Sequence, residues 1–190
     1  RLQLLASPGT TRASMGTAAA LGELALLKDA MAVEVGNLVW YDKNTNGRQD
    51  ADEPGIAGVV VNLRSPGADN IYNNVDDQVW TVTTDANGNY FFDAGIVNDF
   101  RRPVSWLGVS PSNSGILPGF EYKVEIDNLQ PALASRWLTL YDIVADNIDN
   151  DGNYEAMKVV YRINPGGPTA TNSNFQNNYN IDFGFASFKV

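Results

Sequence analysis

The sequence predicts an all-β sandwich over residues 33–190, preceded by an N-terminal arm over residues 1–32. Three observations carry that prediction. Beyond Ala32 the apolar residues come in short β-branched and aromatic runs. The clearest alternates Tyr122, Val124 and Ile126 with Glu121, Lys123, Glu125 and Asp127, which predicts a strand with one buried and one wet face. Turn chemistry separates the runs, as at Pro54-Gly55, Asp85-Ala86-Asn87-Gly88 and Asp151-Gly152. A length of 190 residues buries a real core in one domain and leaves room for an arm.

Taken in order, Arg1 to Ala32 differs from everything after it. Leu2-Gln3-Leu4-Leu5 reads as an extended segment, and Ser14 to Ala32, with Ala18, Leu21, Ala25 and Lys28 at mixed helical spacing, as a short helix. Two roles stay open for this arm: a linker or the tail of a preceding domain, or an apolar segment that docks on a neighbouring subunit by donating a strand. Val33 to Tyr41 and Ile56 to Leu63 are strands by their β-branched and aromatic content, with Val59, Val61 and Leu63 on one face. After the polar turn Ser65 to Asp77, Val79 to Thr83 reads as a strand. The Asn87-Gly88 turn then leads in hairpin fashion into Asn89-Tyr90-Phe91-Phe92. Asn98 to Gly119, carrying Trp106, reads as a long loop or two irregular strands, and Gln130 to Leu140 as holding a helical turn. Met157, Val159, Tyr161 and Ile163 mark another strand. Tyr179, Ile181, Phe183 and Phe185 mark the last, in which Gly184 predicts a bulge or a close backbone approach.

Composition narrows the chemistry. Lys and Arg number 13 against 22 Asp and Glu, a formal charge of -9, which argues against nucleic acid or an anionic membrane as partner and for bound cations. Cysteine and histidine are both absent, which removes disulfides, thiolate metal sites, the commonest catalytic base and the commonest transition-metal ligand. What remains is oxygen chemistry, and no enzymatic activity is expected. No carboxylate pair stands isolated in an apolar cleft as glycoside hydrolysis needs. A Lys to Asn crosslink lacks its lysine, since the first strand, Val33 to Tyr41, carries none. No run is long or apolar enough to span a bilayer and no signal peptide is present, so the chain reads as a soluble, mature or excised piece of something longer.

The stretch Asp42-Lys43-Asn44-Thr45-Asn46-Gly47-Arg48-Gln49-Asp50-Ala51-Asp52-Glu53 has the oxygen spacing of a calcium loop. Asp42, Asn44 and Asn46 take positions one, three and five, Gly47 the sharp turn, and Arg48 the position that offers a carbonyl. Asp50 takes position nine and Glu53 the closing, bidentate position. A hard cation wants six to eight oxygens at once, and a short loop supplies them only if alternate side chains turn inward. The flanking residues are strand formers, so this loop joins strands rather than helices. A second cluster, Asp146, Asp149 and Asp151, places three carboxylates within six residues. Such charges repel unless a cation sits between them, although a solvated Asp/Asn turn also accounts for them. Asp85 heads a turn of the same form, and it, Asp76 and Asp77 are further oxygen donors. Two or three calcium ions are expected. Calcium is plentiful outside cells, which with the lack of cysteine points to an extracellular protein.

The run Val35 to Asp50, then Glu53-Pro54-Gly55-Ile56-Ala57-Gly58-Val59-Val60-Val61-Asn62-Leu63, resembles the opening of the SdrD B-like repeat domain of bacterial surface adhesins. Thr84 to Phe92, the Asp146 to Gly152 cluster and Asn180-Ile181-Asp182-Phe183-Gly184-Phe185 resemble its later motifs in the same order, so the likeness covers roughly Val33 to Ser187. The resemblance implies a prealbumin-like sandwich related to Cna B-type modules. It assigns one calcium ion to Asp42, Asn44, Asn46, Arg48, Asp50 and Glu53, and another to Asp146, Asp149 and Asp151. It further implies a non-catalytic module of a cell-surface protein, either an adhesin stalk or spacer or a self-assembling subunit of a surface filament or layer. Its partners would be neighbouring domains or further copies of itself. The alternative is a carbohydrate- or protein-binding module appended to a secreted enzyme, with Trp106 and Trp137 as an aromatic platform and a host molecule or glycan as ligand.

Overall fold

A computed structural model describes residues 34–93, 96–97, 99, 115–117, 120–142, 148–156, 158–163 and 177–187. The chain divides into two units, Arg1–Ala32 and Val33–Val190, and the described residues all belong to the second. The expectations for the arm, for Trp106, for Asp146 and for most of the loop 98–119 fall outside them.

Period-two alternation sets the architecture. Among the described residues nine strands, β1 Val35–Asp42, β2 Val60–Ser65, β3 Gln78–Thr83, β4 Asn89–Phe92, β5 Tyr122–Asp127, β6 Arg136–Leu138, β7 Asn153–Glu155, β8 Lys158–Ile163 and β9 Phe183–Ser187, form two sheets. One has the order β4-β1-β9-β6, the other β3-β2-β5-β8-β7. The two sheets make a sandwich whose core includes Val39, Val61, Leu63, Phe92, Val124 and Phe183, all fully buried. Each such side chain contributes about 1.5–3 kcal/mol by leaving water. The helical turn expected near Gln130 is the 3₁₀ segment Pro131–Leu133, and β6 follows it.

β1 changes partners along its length. Residues 35–38 pair antiparallel with β4 (Val35 opposite Phe92), and residues 39–42 pair parallel with β9 (Val39 opposite Phe183, Asp42 opposite Ala186). Where β4 leaves off, residues 54–56 take over the free edge. Tyr41 N–H donates to the Pro54 carbonyl at 2.9 Å, and Ile56 N–H to the Val39 carbonyl at 2.7 Å. The segment 42–53 is thus closed at its base like a noose.

Two expectations change. The Asp85 to Gly88 turn is not a hairpin, because β3 and β4 lie in different sheets; the turn carries the chain from one sheet to the other. Gly88 does hold a positive φ of 85°, and its amide oxygen accepts Val39 N–H at 2.9 Å. The wet face expected of β5 is also covered, since Lys123 and Glu125 are each only 3% exposed. The turn after β2 lays the Tyr72 ring 4.2 Å from Lys123 Nζ. Beneath it Arg64 bonds Glu125 and Asp77, each at 3.1 Å, Lys158 bonds Glu125 at 3.1 Å, and Lys123 bonds Glu155 at 2.9 Å. Alternation separates apolar from polar positions, and it does not reveal a polar face roofed by a distant loop.

Gly184 meets its expectation of close approach: a Cβ there would lie 2.5 Å from the Trp40 ring. Gly55 is tighter still, with a Cβ falling 1.7 Å from the Asn87 carbonyl oxygen, whereas Gly58 combines a φ of +76° with open space. Gly55→Ala should therefore cost about 3 kcal/mol through a backbone clash, and Gly58→Ala about 1 kcal/mol through the left-handed φ alone. Urea unfolding of the two variants measures the difference, and equal losses would contradict the close packing of residue 55 on the 85–88 turn.

Candidate cation site

Asp42 ends β1 with its side chain on the same face as Trp40, two residues earlier, and both are fully buried. Its Oδ1 accepts Thr45 N–H at 2.5 Å and its Oδ2 accepts Gly47 N–H at 2.8 Å. The Thr139 hydroxyl, just past β6, donates to Oδ2 as well. These bonds hold the turn in which Thr45 and Gly47 take positive φ values of 63° and 75°. For Thr45 that backbone is strained, and the carboxylate offsets the strain.

The other loop residues also turn inward. Asn44 Oδ1 accepts Asn46 N–H at 2.9 Å, and Asn46 Oδ1 accepts Arg48 N–H at 2.8 Å. The two amide nitrogens converge on Asp50 Oδ2 at 2.8 and 2.9 Å. Those two bonds hold the Asp50 carboxyl below the usual carboxylate range. Glu53 spans the base of the noose, accepting Lys43 N–H on Oε1 at 2.8 Å and Asp50 N–H on Oε2 at 3.1 Å. The donor set therefore fits a hard cation in kind and in order, with Asp42, Asn44, Asn46, Asp50 and Glu53 bonded into one loop. Both carboxylate oxygens of Asp42 and of Glu53, and Oδ2 of Asp50, accept from N–H or hydroxyl donors of the protein. Among the described residues no group of three or more acidic side chains stands close enough together to hold a metal ion.

The loop docks on the second acidic segment. Arg48 forms an antiparallel bridge with Asp149, and Gln49 N–H donates to the Ile148 carbonyl at 2.7 Å. Asp149 and Asp151 are both buried. Asn150, also fully buried, ties three elements together: its Nδ2 donates to the Gly152 carbonyl at 3.0 Å and to the Thr139 carbonyl at 3.4 Å, and its Oδ1 accepts Gly184 N–H at 3.2 Å. Asp151 Oδ2 accepts Asp182 N–H at 2.6 Å, and Asp182 Oδ1 accepts Leu38 N–H at 3.1 Å. Burial, and then the neighbouring Asp151 charge, push the Asp182 carboxyl up to about 8. Burial likewise raises the Tyr90 hydroxyl, which donates to the Ile181 carbonyl at 2.8 Å.

Sequence reasoning did not single out Thr139, Asn150 or Asp182 as site residues. Asp182 had a signal, an acid placed between Ile181 and Phe183 in an apolar run, while Thr139 had none. Asp85 caps its own turn, accepting Asn87 N–H at 2.8 Å and Asn89 N–H at 2.9 Å on Oδ1, and the side-chain amide of Asn89 lowers its carboxyl. Trp137 lies in β6, half-buried.

Comparison with known proteins bears on this region directly. Residues 33–100 match the SdrD B-like domain family, which takes in β1 to β4 and the whole loop 42–53. The chain is 46% identical over 65 residues to serine-aspartate repeat-containing protein F of Staphylococcus epidermidis, and 47% identical over 58 residues to serine-aspartate repeat-containing protein D of Staphylococcus aureus. It is 41% identical over 59 residues to colossin-B of Dictyostelium discoideum. These alignments cover 34%, 30% and 31% of this chain, and only 4%, 4% and 2% of the relatives. The SdrD B-like likeness is thereby shown for residues 33–100. Among the described residues no helix is long and apolar enough to cross a membrane.

Because Asp42 satisfies two amides and a hydroxyl in a buried position, Asp42→Ala should lose about 3 kcal/mol of unfolding free energy even with chelator present. Denaturant melts in EGTA measure this. A loss seen only with calcium would mean that the carboxylate serves the ion alone.

Proposed function

We propose that this chain is a non-catalytic, calcium-stabilised structural module of an extracellular cell-surface protein, acting as a stalk or spacer. The observation that carries the reading is the parallel pairing of β1 with β9. The chain enters this sheet at Val35 and leaves it at Ser187, at the opposite end. Tension between those points shears the β1–β9 hydrogen bonds together instead of opening them one by one, which suits a unit that transmits force. The loop 42–53 begins where β1 ends, so a cation held by Asp42, Asn44, Asn46, Asp50 and Glu53 would brace the strand that takes the load. The match of residues 33–100 to the SdrD B-like family supports the cell-surface setting.

Cation binding to the folded state alone stabilises by RT ln(1 + [L]/Kd), about 2.7 kcal/mol at a free concentration 100 times Kd. Two or three such ions rival the whole stability of a typical domain, about 5–15 kcal/mol. In a chain without cysteine, calcium would take the part that disulfides take in other secreted domains. Chelation with EGTA should lower the melting temperature by about 10 °C or more. A melt that EGTA leaves unchanged removes calcium from the account.

A further inference from the structure

Where β1 begins, two aromatic rings and two acids meet at the surface. Phe91 and Tyr179 stay 42% and 41% exposed, and their rings stand nearly at right angles, 78° between planes and 5.9 Å between centroids. Gly36 lets Phe91 lie across β1, since a Cβ at residue 36 would come 2.9 Å from that ring. Tyr179 is fixed through its hydroxyl, which donates to Glu34 Oε2 and accepts from Asn177 Nδ2 at 2.7 Å. Backbone bonds hold this segment against β1: Gly36 N–H donates to the Asn178 carbonyl at 2.9 Å, and Asn178 N–H to the Glu34 carbonyl at 2.8 Å. The two rings line a groove of about 450 Å³ together with Glu34, Asn37 and Asp93. Among the described residues that line it two are acids and none is a base, and no described basic side chain pairs with Glu34.

We propose that this corner binds a cationic side chain, arginine or lysine, presented by another protein. An aromatic ring attracts a cation through its quadrupole, and a carboxylate beside the ring supplies the opposite charge. Rings alone would accept any apolar group, and an acid alone would stay hydrated. Together they select a side chain with an apolar stem and a charged tip. The hydroxyl bond to Glu34 and the close seat of Phe91 over Gly36 set the walls before a partner arrives, which lowers the cost of binding. A formal charge of -9 draws the same kind of partner, one with a basic surface. The inference goes beyond the stalk reading and needs no bound calcium, since it gives the β4–β1 side of the four-stranded sheet a contact surface of its own.

Proton–nitrogen correlation NMR of the isotope-labelled full chain tests the proposal. The probes are the N-acetyl methylamides of arginine and lysine, with those of citrulline and norleucine as neutral counterparts. Saturable shifts of the Gly36, Asn37, Phe91 and Tyr179 amides are expected with a cationic probe and none with its neutral counterpart; the cation that saturates at the lower concentration names the preferred side chain. Phe91→Ala removes one ring, and Glu34→Gln removes the charge while keeping an acceptor for the Tyr179 hydroxyl. Each should weaken binding about fivefold or more, the scale of a partly desolvated cation–ring contact. Should Phe91→Ala disturb the fold, seen as shifts across the whole spectrum, Tyr179→Leu is read by the same two outcomes. The proposal is overturned by the absence of saturable shifts with both cations, by equal shifts from the neutral probes, or by wild-type affinity in the Glu34 and ring variants.

Discussion

The buried carboxylate of Asp42 is the constraint on which the rest of this end of the molecule depends. It sits at the last position of β1, on the face shared with Trp40, and it accepts from two backbone N–H groups and from Thr139. Those bonds force the chain out of the strand and into the noose that returns at Pro54. The return strand then lies so close to the Asp85–Gly88 turn that residue 55 has no room for a side chain. Thr45 in a left-handed conformation, glycine at 47 and glycine at 55 are consequences of one acid held at one place.

The two sheets treat buried charge differently. On the five-stranded sheet Glu125 lies under Arg64 and Lys158, and Lys123 reaches Glu155, so acids and bases neutralise one another beneath Tyr72. Along the β1–β9 pair of the four-stranded sheet the compensation comes from amides and hydroxyls: Asp42 and Glu53 rest on N–H donors, and Asp182 keeps an oxygen without a partner. Dipoles stabilise a buried carboxylate less than a full opposite charge does. With a formal charge of -9 the chain has more acids than bases to pair them.

Much of this was legible in the residues. Strict alternation marks β2, β5 and β8, and the Asp42 to Glu53 spacing marks the loop. The remainder depended on contacts between distant segments. The Asn87-Gly88 turn has the local chemistry of a hairpin, but whether the following strand stays in the sheet or crosses to the other is decided by what Tyr90 and Phe92 bury. Lys123 and Glu125 read as wet because alternation sees one strand at a time, while their cover comes from the turn after β2. Asp182 is a local anomaly whose meaning rests on Asp151, more than thirty residues earlier. Thr139 is polar, small and unremarked in the sequence, and it matters only because β6 pairs with β9 and sets it beside Asp42.

β1 and β9 run parallel; the loop 42–53 leaves the end of β1 opposite Ala186, and Asp182 precedes the start of β9 beside Leu38, so the acidic segments flank the bonds that tension would shear. Single-molecule pulling between the two ends of the 33–190 unit within the full chain, in calcium and then in EGTA, measures this most directly. The account predicts one cooperative rupture whose force falls clearly when calcium is withdrawn and recovers when it is restored. A rupture force that calcium does not alter would contradict it.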